Sequence, residues 1–268
     1  MTFHSSCSYA GLANLLSFYG IDTEDWKIAL RMHLPYLFAH EDGGYLSGPM
    51  LQGAKWFNLY LNPRGFAFSE CQHSREEVCA VLQTVFPAML GIRVSPENKH
   101  AVIYTGCRDG KYRFLNNKRR DSPEPEALGL TEEELFARLD ESVVVGHLER
   151  TDPAVMSFRS CLENSFLVLQ SLQAELNAFC GKEQSAAALR ESMNTLFRPI
   201  LLDGVTMLEL LEESEIATAL KKVRTQFLNV IKGKQAAVLA DKLDMTLLND
   251  AVARYEALIR NHMEENTD

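Results

Sequence analysis

The sequence has no Cys-x-x-Cys pair, no excess of basic residues, no internal repeat and no long apolar run. Its six cysteines, at 7, 71, 79, 107, 161 and 180, are scattered, so a disulfide framework is not expected. No basic-then-apolar leader is seen at the start, and reduced thiols in a cytoplasm fit best. No uninterrupted apolar stretch reaches the 18 or so residues that a bilayer requires, so no membrane partner is expected. The formal net charge of −9 argues against nucleic-acid binding, which depends on Lys and Arg neutralising phosphates. The deficit is even: residues 1–150 hold 15 Lys+Arg against 19 Asp+Glu, and residues 151–268 hold 12 against 17. The glycines around residue 44 lack the spacing of a phosphate cradle, and no cofactor is implied.

What is present is a globular composition, with 46% hydrophobic residues over 268 positions, enough for one large domain or two modest ones. Leu12, Leu15, Leu16 and Tyr19 share a helical face, which predicts a helix over 8–19 with Cys7 at or next to its N-cap and Gly20 as its stop. A second helix is expected over 23–33, a glycine-rich loop over 40–49, and a third helix entered through Pro49. Ser74-x-x-Glu77 and Thr131-x-x-Glu134 have capping-box spacing and open two further helices. Between them the runs 88–95, 100–106 and 111–117 are β-branched or aromatic, with Asp109-Gly110 at a hairpin tip, and 143–149 adds a strand. Helices followed by antiparallel strands mean α+β for 1–150. From the Asp152-Pro153 cap onward everything reads as helix, about 153–180, 183–197 with Pro199 as a break, 200–213, 215–232 and 244–264. The expected division is a catalytic domain over 1–150 and an all-α domain over 151–268.

A thiol at a helix N-terminus has the backbone N–H groups that stabilise a thiolate and, later, the oxyanion formed when it attacks a carbonyl. Cys7 has that position. His100 opens the strand HAVIYTG, and YRFLNN returns Asn116 and Asn117 to its level, where an amide oxygen can accept the imidazole N–H. Cys7, His100 and Asn116 are therefore the candidate catalytic residues, with His4, Ser8 and Asn117 as supporting candidates.

SCSYAGLANLLSFYG resembles the N-terminal segment of the bacteriocin-processing (double-glycine leader) cysteine peptidases, and HAVIYTGCRDGKYRFLNN resembles their catalytic His and Asx hairpin. The resemblance implies a papain-like fold, with Cys7 as nucleophile, His100 as base and Asn116 as the residue that orients it. The oxyanion-hole Gln that those peptidases carry six residues before the Cys is absent, because Met1 stands there. Over more of the chain the sequence is similar to the butirosin-biosynthesis acyltransferase family, which has a helical C-terminal region like that around RPILLDGVTMLELLEESEIATALKKVRTQFLNVI. That likeness implies transfer of an acyl group from a carrier-protein thioester to an amine. The alternatives are a cysteine peptidase or amidase, and an inert papain-like binding protein.

Structural readings compete at each point. The other five cysteines are read as packing or surface residues. His4 and Cys7 have metal-ligand spacing without a second pair, so no metal is expected. Lys118-Arg119-Arg120 is a candidate dock for an acidic carrier protein, with a solvated loop as the plainer reading. The apolar faces of the C-terminal helices are bundle interior first and a homodimer surface second.

Overall fold

The computed structural model describes residues 3, 6–96, 98–118, 125–233 and 237–266, with the side chain of Lys118 left aside. His4, Arg119 and Arg120 lie outside the described residues. In chain order the main elements are α1 (Ser8–Ser17), α2 (Asp25–Arg31), β1 (Phe38–Glu41), β2 (Gly44–Ser47), α3 (Ala54–Leu61), β3 (Phe66–Ser74), α4 (Val78–Thr84), β4 (Ala88–Ser95), β5 (Asn98–Arg108), β6 (Lys111–Lys118), β7 (Pro125–Leu130), α5 (Glu132–Arg138) and β8 (Ser142–Arg150). There follow α6 (Arg159–Cys180), β9 (Glu183–Gln184), α7 (Ala186–Ser192), α8 (Val205–Leu210), α9 (Ser214–Gly233), β10 (Ala237–Val238) and α10 (Met245–Glu265). The chain divides into two compact units, one of Met1–Met32 and Gln52–Met156, the other of His33–Leu51 and Ser157–Asp268. Residues 33–51 thus pack with the C-terminal helices rather than with the sheet. Among the described residues no helix is long and apolar enough to cross a membrane.

The first unit is α+β, built on a six-stranded antiparallel sheet of order β3-β8-β4-β5-β6-β7. Alternation along the strands points Leu90, Ile92, Val102, Tyr104 and Phe114 into one buried cluster, closed by Val78 and Leu82 of α4 and Leu135 of α5. α1 packs on the other side against β4, β5 and β6. Its Leu12, Leu15 and Leu16 are fully buried, and each such side chain stabilises the fold by roughly 1.5–3 kcal/mol. The approach is close. A Cβ on Gly11 would lie 2.9 Å from Met89 Sδ and 3.5 Å from Ala101 Cβ, so the missing side chain sets the height of the helix that carries Cys7. At the sheet edge, Asn58 of α3 accepts the Phe68 N–H at 2.6 Å and donates to the Phe68 carbonyl at 3.1 Å. This satisfies edge groups that would otherwise invite another strand.

Several local expectations are corrected. The loop expected over 40–49 is the β1–β2 hairpin, whose Asp42 and Gly43 have φ of 50° and 76°, the pair of positive values a type I′ turn requires. The helix expected from Pro49 to 61 opens as a 3-10 turn, Gly48–Met50, and is α-helical over α3, Ala54–Leu61. It breaks at Gly53, where φ is +89° and a Cβ would meet Glu70 Oε1 at 2.9 Å. Thr131 forms its reciprocal capping box with Glu134. At the other such motif Glu77 accepts both the N–H and the hydroxyl of Ser74, yet α4 begins only at Val78. β7 was not expected, because Pro, Glu and Gly are poor strand residues.

The second unit is mainly helical, as expected of the C-terminal region, but it adds the β1–β2 hairpin, and the C-terminal region is not all-α because β9 and β10 pair as a short antiparallel ladder. The Phe38 N–H donates to Ser165 Oγ at 3.0 Å, and the Tyr45 hydroxyl donates to Glu175 at 2.6 Å. α6 starts at Arg159, not at the Asp152-Pro153 pair. Pro199 does not break its helix. Two π-helical stretches, Met193–Phe197 and Pro199–Gly204, carry the chain from α7 to α8. The wider turn relieves the clash and lost hydrogen bond that proline imposes on an α-helix.

Candidate active site

Cys7 is the N-cap residue of α1, and its backbone carbonyl is held from two sides. It accepts the Gly11 N–H at 2.9 Å, closing the first helical turn, and Asn117 Nδ2 at 3.3 Å. Asn117 Oδ1 in turn accepts Asn14 Nδ2 at 3.3 Å. One buried side chain of β6 therefore fixes both the start of α1 and a point two turns along it. The Cys7 sulfur, partly exposed, accepts the backbone N–H of Ala101 at 3.0 Å. Ala101 follows His100 directly, so the thiol is held against the peptide that joins those two residues.

His100 and Asn116 meet because of a defect in the hairpin. The turn at Asp109-Gly110 starts the ladder with Arg108 opposite Lys111. Continued without interruption, that register would leave Asn116 three positions from the residue facing His100, and hence on the opposite face. A bulge between Tyr104 and Cys107, with Gly106 at φ +112°, moves β5 on by one residue, so that Tyr104 faces Phe114 and Ile103 faces Leu115. Asn116 then becomes the same-face diagonal neighbour of His100, and Asn117 falls on the face of Ala101 and α1. Consecutive asparagines thus serve opposite faces of one strand, both of them buried.

The hydrogen bonds also decide the histidine tautomer. Asn116 Oδ1 accepts the Asn117 N–H at 2.8 Å, and Asn116 Nδ2 donates to Glu126 Oε2 at 3.1 Å. A backbone N–H only donates and a carboxylate only accepts, which orients the amide unambiguously. The contact of 3.1 Å between His100 Nδ1 and Asn116 Oδ1 must then be an Nδ1–H donor. In the neutral ring the lone pair then lies on Nε2, the nitrogen a general base needs. The thiol and the ring are engaged by Ala101 and Asn116 respectively and make no hydrogen bond to each other.

Gln52 was not anticipated. Its Oε1 accepts the hydroxyls of Ser6, at 3.3 Å, and of Ser8, on either side of Cys7, while Ser6 Oγ accepts the Ser8 N–H at 3.2 Å. Through its oxygen, Gln52 is thus tied to both serines that flank the thiol. No periodicity links residues so far apart in sequence. Ser8 is therefore placed as a partner of Gln52 and Asn117 as the tether of α1, while His4 lies outside the described residues. Of the remaining thiols, Cys180 is pushed up to about 12 by burial and Cys79 is raised by burial, as inert packing thiols are. Among the described residues no three His, Cys, Asp or Glu side chains group as a metal site.

No family model and no curated protein matches the chain. Among solved structures it is similar to the peptidase domain of ComA, a bifunctional ABC transporter of Streptococcus involved in quorum sensing, at 10% identity over 53% of this chain and 91% of that one, with a TM-score of 0.36. It is also similar to the N-terminal peptidase C39-like domain of a toxin-secretion ATP-binding protein from Vibrio parahaemolyticus, at 11% identity over 54% of this chain and 98% of that one, with a TM-score of 0.32.

Proposed function

We propose that the protein is a cysteine-dependent acyl-transfer enzyme of papain-like type. Support comes from one observation: Cys7 begins a helix and its sulfur is held by the N–H of Ala101, the residue that follows a histidine whose Nδ1 is bonded to Asn116. The Cys7 side chain exchanges its Ala101 N–H bond for His100 Nε2 when substrate binds, since catalytic hydrogen bonds often tighten only in the substrate complex. His100 Nε2 takes the thiol proton, the thiolate attacks the carbonyl carbon of a thioester or amide, and the carbonyl electron pair moves to the oxygen. The resulting oxyanion is stabilised by the N–H groups at the start of α1 and by the Gln52 amide. When the tetrahedral adduct collapses, the leaving thiol or amine takes its proton from the His100 imidazolium, and the acyl group stays on Cys7. An amine, deprotonated by His100, then attacks the acyl-enzyme, forming the amide and returning the thiol. The helical C-terminal region that accompanies the acyltransferase likeness favours an amine acceptor and a carrier-bound donor. Hydrolysis of a peptide by the same acyl-enzyme is the second reading, carried by the resemblance of residues 1–150 to the bacteriocin-processing peptidases.

The test is to incubate the protein with an acyl-thioester, with and without primary amines. Amide product that is lost in Cys7→Ala supports transfer. Free acid formed at the same rate whatever the amine makes the enzyme a hydrolase. If there is no product, and Cys7 reacts with iodoacetamide at an ordinary thiol's rate that is flat between pH 5 and 8, the protein is not a thiol enzyme.

A further inference from the structure

We propose that Glu126 is a positioning residue of this site, and that it is the reason an asparagine rather than an aspartate stands at 116. The inference rests on the reading of His100 as the base for Cys7. Asn116 has two ends with separate partners. Its oxygen accepts from His100 Nδ1 at 3.1 Å and from the Asn117 N–H at 2.8 Å, and its nitrogen donates to Glu126 Oε2 at 3.1 Å. Glu126 comes from β7, the neighbouring strand, and meets Asn116 where the β6–β7 register shifts between Leu115 and Lys118. Such a bulge re-aims side chains. The carboxylate does two things. Together with the Asn117 N–H it bars the flipped amide, because an oxygen facing Glu126 would set two acceptors against each other, and it thereby helps to keep His100 with its proton on Nδ1. It also makes an aspartate at 116 unfavourable, since a second carboxylate would then face Glu126 at the same short distance, and like charges so close disfavour ionisation of both.

This yields a test by exchange. In Asn116→Asp two carboxylates meet, and kcat should fall at least about tenfold through misplacement of the imidazole. Adding Glu126→Gln supplies an amide that donates to the new aspartate and should restore most of the loss, although each single change removes a native group. Glu126→Gln alone still offers an oxygen to the Asn116 nitrogen and should stay within about threefold of wild type, whereas Glu126→Ala should lower kcat about tenfold with KM unchanged. A readout independent of turnover is nitrogen-15 NMR of the histidines: His100 should be the Nδ1–H tautomer in wild type, in Glu126→Gln and in both proteins that carry Asn116→Asp, where the new carboxylate only accepts, and should gain Nε2–H tautomer in Glu126→Ala, where the Asn117 N–H alone still orients the amide. Thermal melting of each variant shows that it is folded. The proposal is overturned if the two substitutions act additively, with no rescue in the double variant, or if the tautomer is the same in all five proteins. Failure of the functional reading looks different: product formation survives Cys7→Ala, or Cys7 alkylates like an ordinary thiol, while the tautomer pattern still reports on Glu126.

Discussion

At the scale of single residues, the site depends on side chains whose two ends are engaged separately. Asn116 and Asn117 each accept at one end and donate at the other, and Gln52 follows the same pattern with Ser6 and Ser8 on its oxygen. For the Gln52 nitrogen we propose a different use, as a donor to the developing oxyanion. Gln52→Ala should therefore lower kcat by about 10²–10³-fold with little change in KM, the cost of losing one oxyanion donor. Steady-state kinetics on the acyl-thioester check this, and a change confined to KM would return Gln52 to the role of a surface clamp for the α1 turn. Gln52→Glu is the sharper comparison, because it keeps the oxygen that Ser6 and Ser8 need and removes only the donor. It should be as poor as the alanine variant.

At the scale of elements, glycines show where strands and helices were pressed together. On β8 a Cβ at Gly146 would lie 2.1 Å from the Phe68 ring of β3, and that ring is almost wholly buried, so it has nowhere to move. Gly146→Ala should destabilise the first unit by about 1–3 kcal/mol through overpacking, seen as a lower urea midpoint. Gly146→Ala with Phe68→Leu should recover part of the loss. An unchanged midpoint in the single variant would show that β3 gives way freely. The same scale separates what was legible in the sequence from what was not. The regular signals were readable: leucine spacing in α1, β-branched runs in β4 and β5, the Thr131 box, and the Asp109-Gly110 turn. Each depends on neighbours a few residues away. What could not be read depends on distant partners. The β1–β2 hairpin, with His40 and Glu41 in so short a strand, forms against Ser165 and Glu175 of α6. Pro199 stays helical because the surrounding turns widen, with its carbonyl accepting Ser47 Oγ at 2.5 Å. For the site, the hairpin that returns Asn116 to His100 was legible as a pairing, but the Gly106 bulge that puts the two on one face was not. Glu126 and Gln52 gave no signal at all.

At the scale of the whole molecule, the two units carry different sensitivities. In the helical unit His33 Nδ1 and His262 Nε2 are 2.5 Å apart, His33 packs on Phe158, and Tyr36 stacks on His262. Burial, and then the charge of His262, lower His33 from 6.5 to about 4, and burial lowers His262 as well. A histidine whose folded value lies below its unfolded one contributes stability above pH 6.5, and that contribution is lost as pH falls toward 4. Urea unfolding of the helical unit should weaken across that window. His33→Asn, which suits the left-handed backbone at φ 56°, should reduce the slope without abolishing it, because His262 still titrates. An identical slope in both proteins would place the pH sensitivity elsewhere. The division of the chain has a second consequence, for where it can be cut. Residues 33–51 bury Leu34, Leu37, Phe38 and Tyr45 within the helical unit, so a fragment of residues 1–156 would carry these side chains without the helices that cover them. Exposed apolar surface of that kind promotes association, and the fragment should aggregate and bind a hydrophobic dye where the full chain does not. Replacing residues 33–51 by a Gly/Ser loop of about ten residues should restore a soluble, monomeric fragment, since loop closure costs little more as length grows. Light scattering and size-exclusion chromatography distinguish the outcomes. A well-behaved 1–156 fragment with residues 33–51 intact would mean that this segment has a second resting place outside the helical unit.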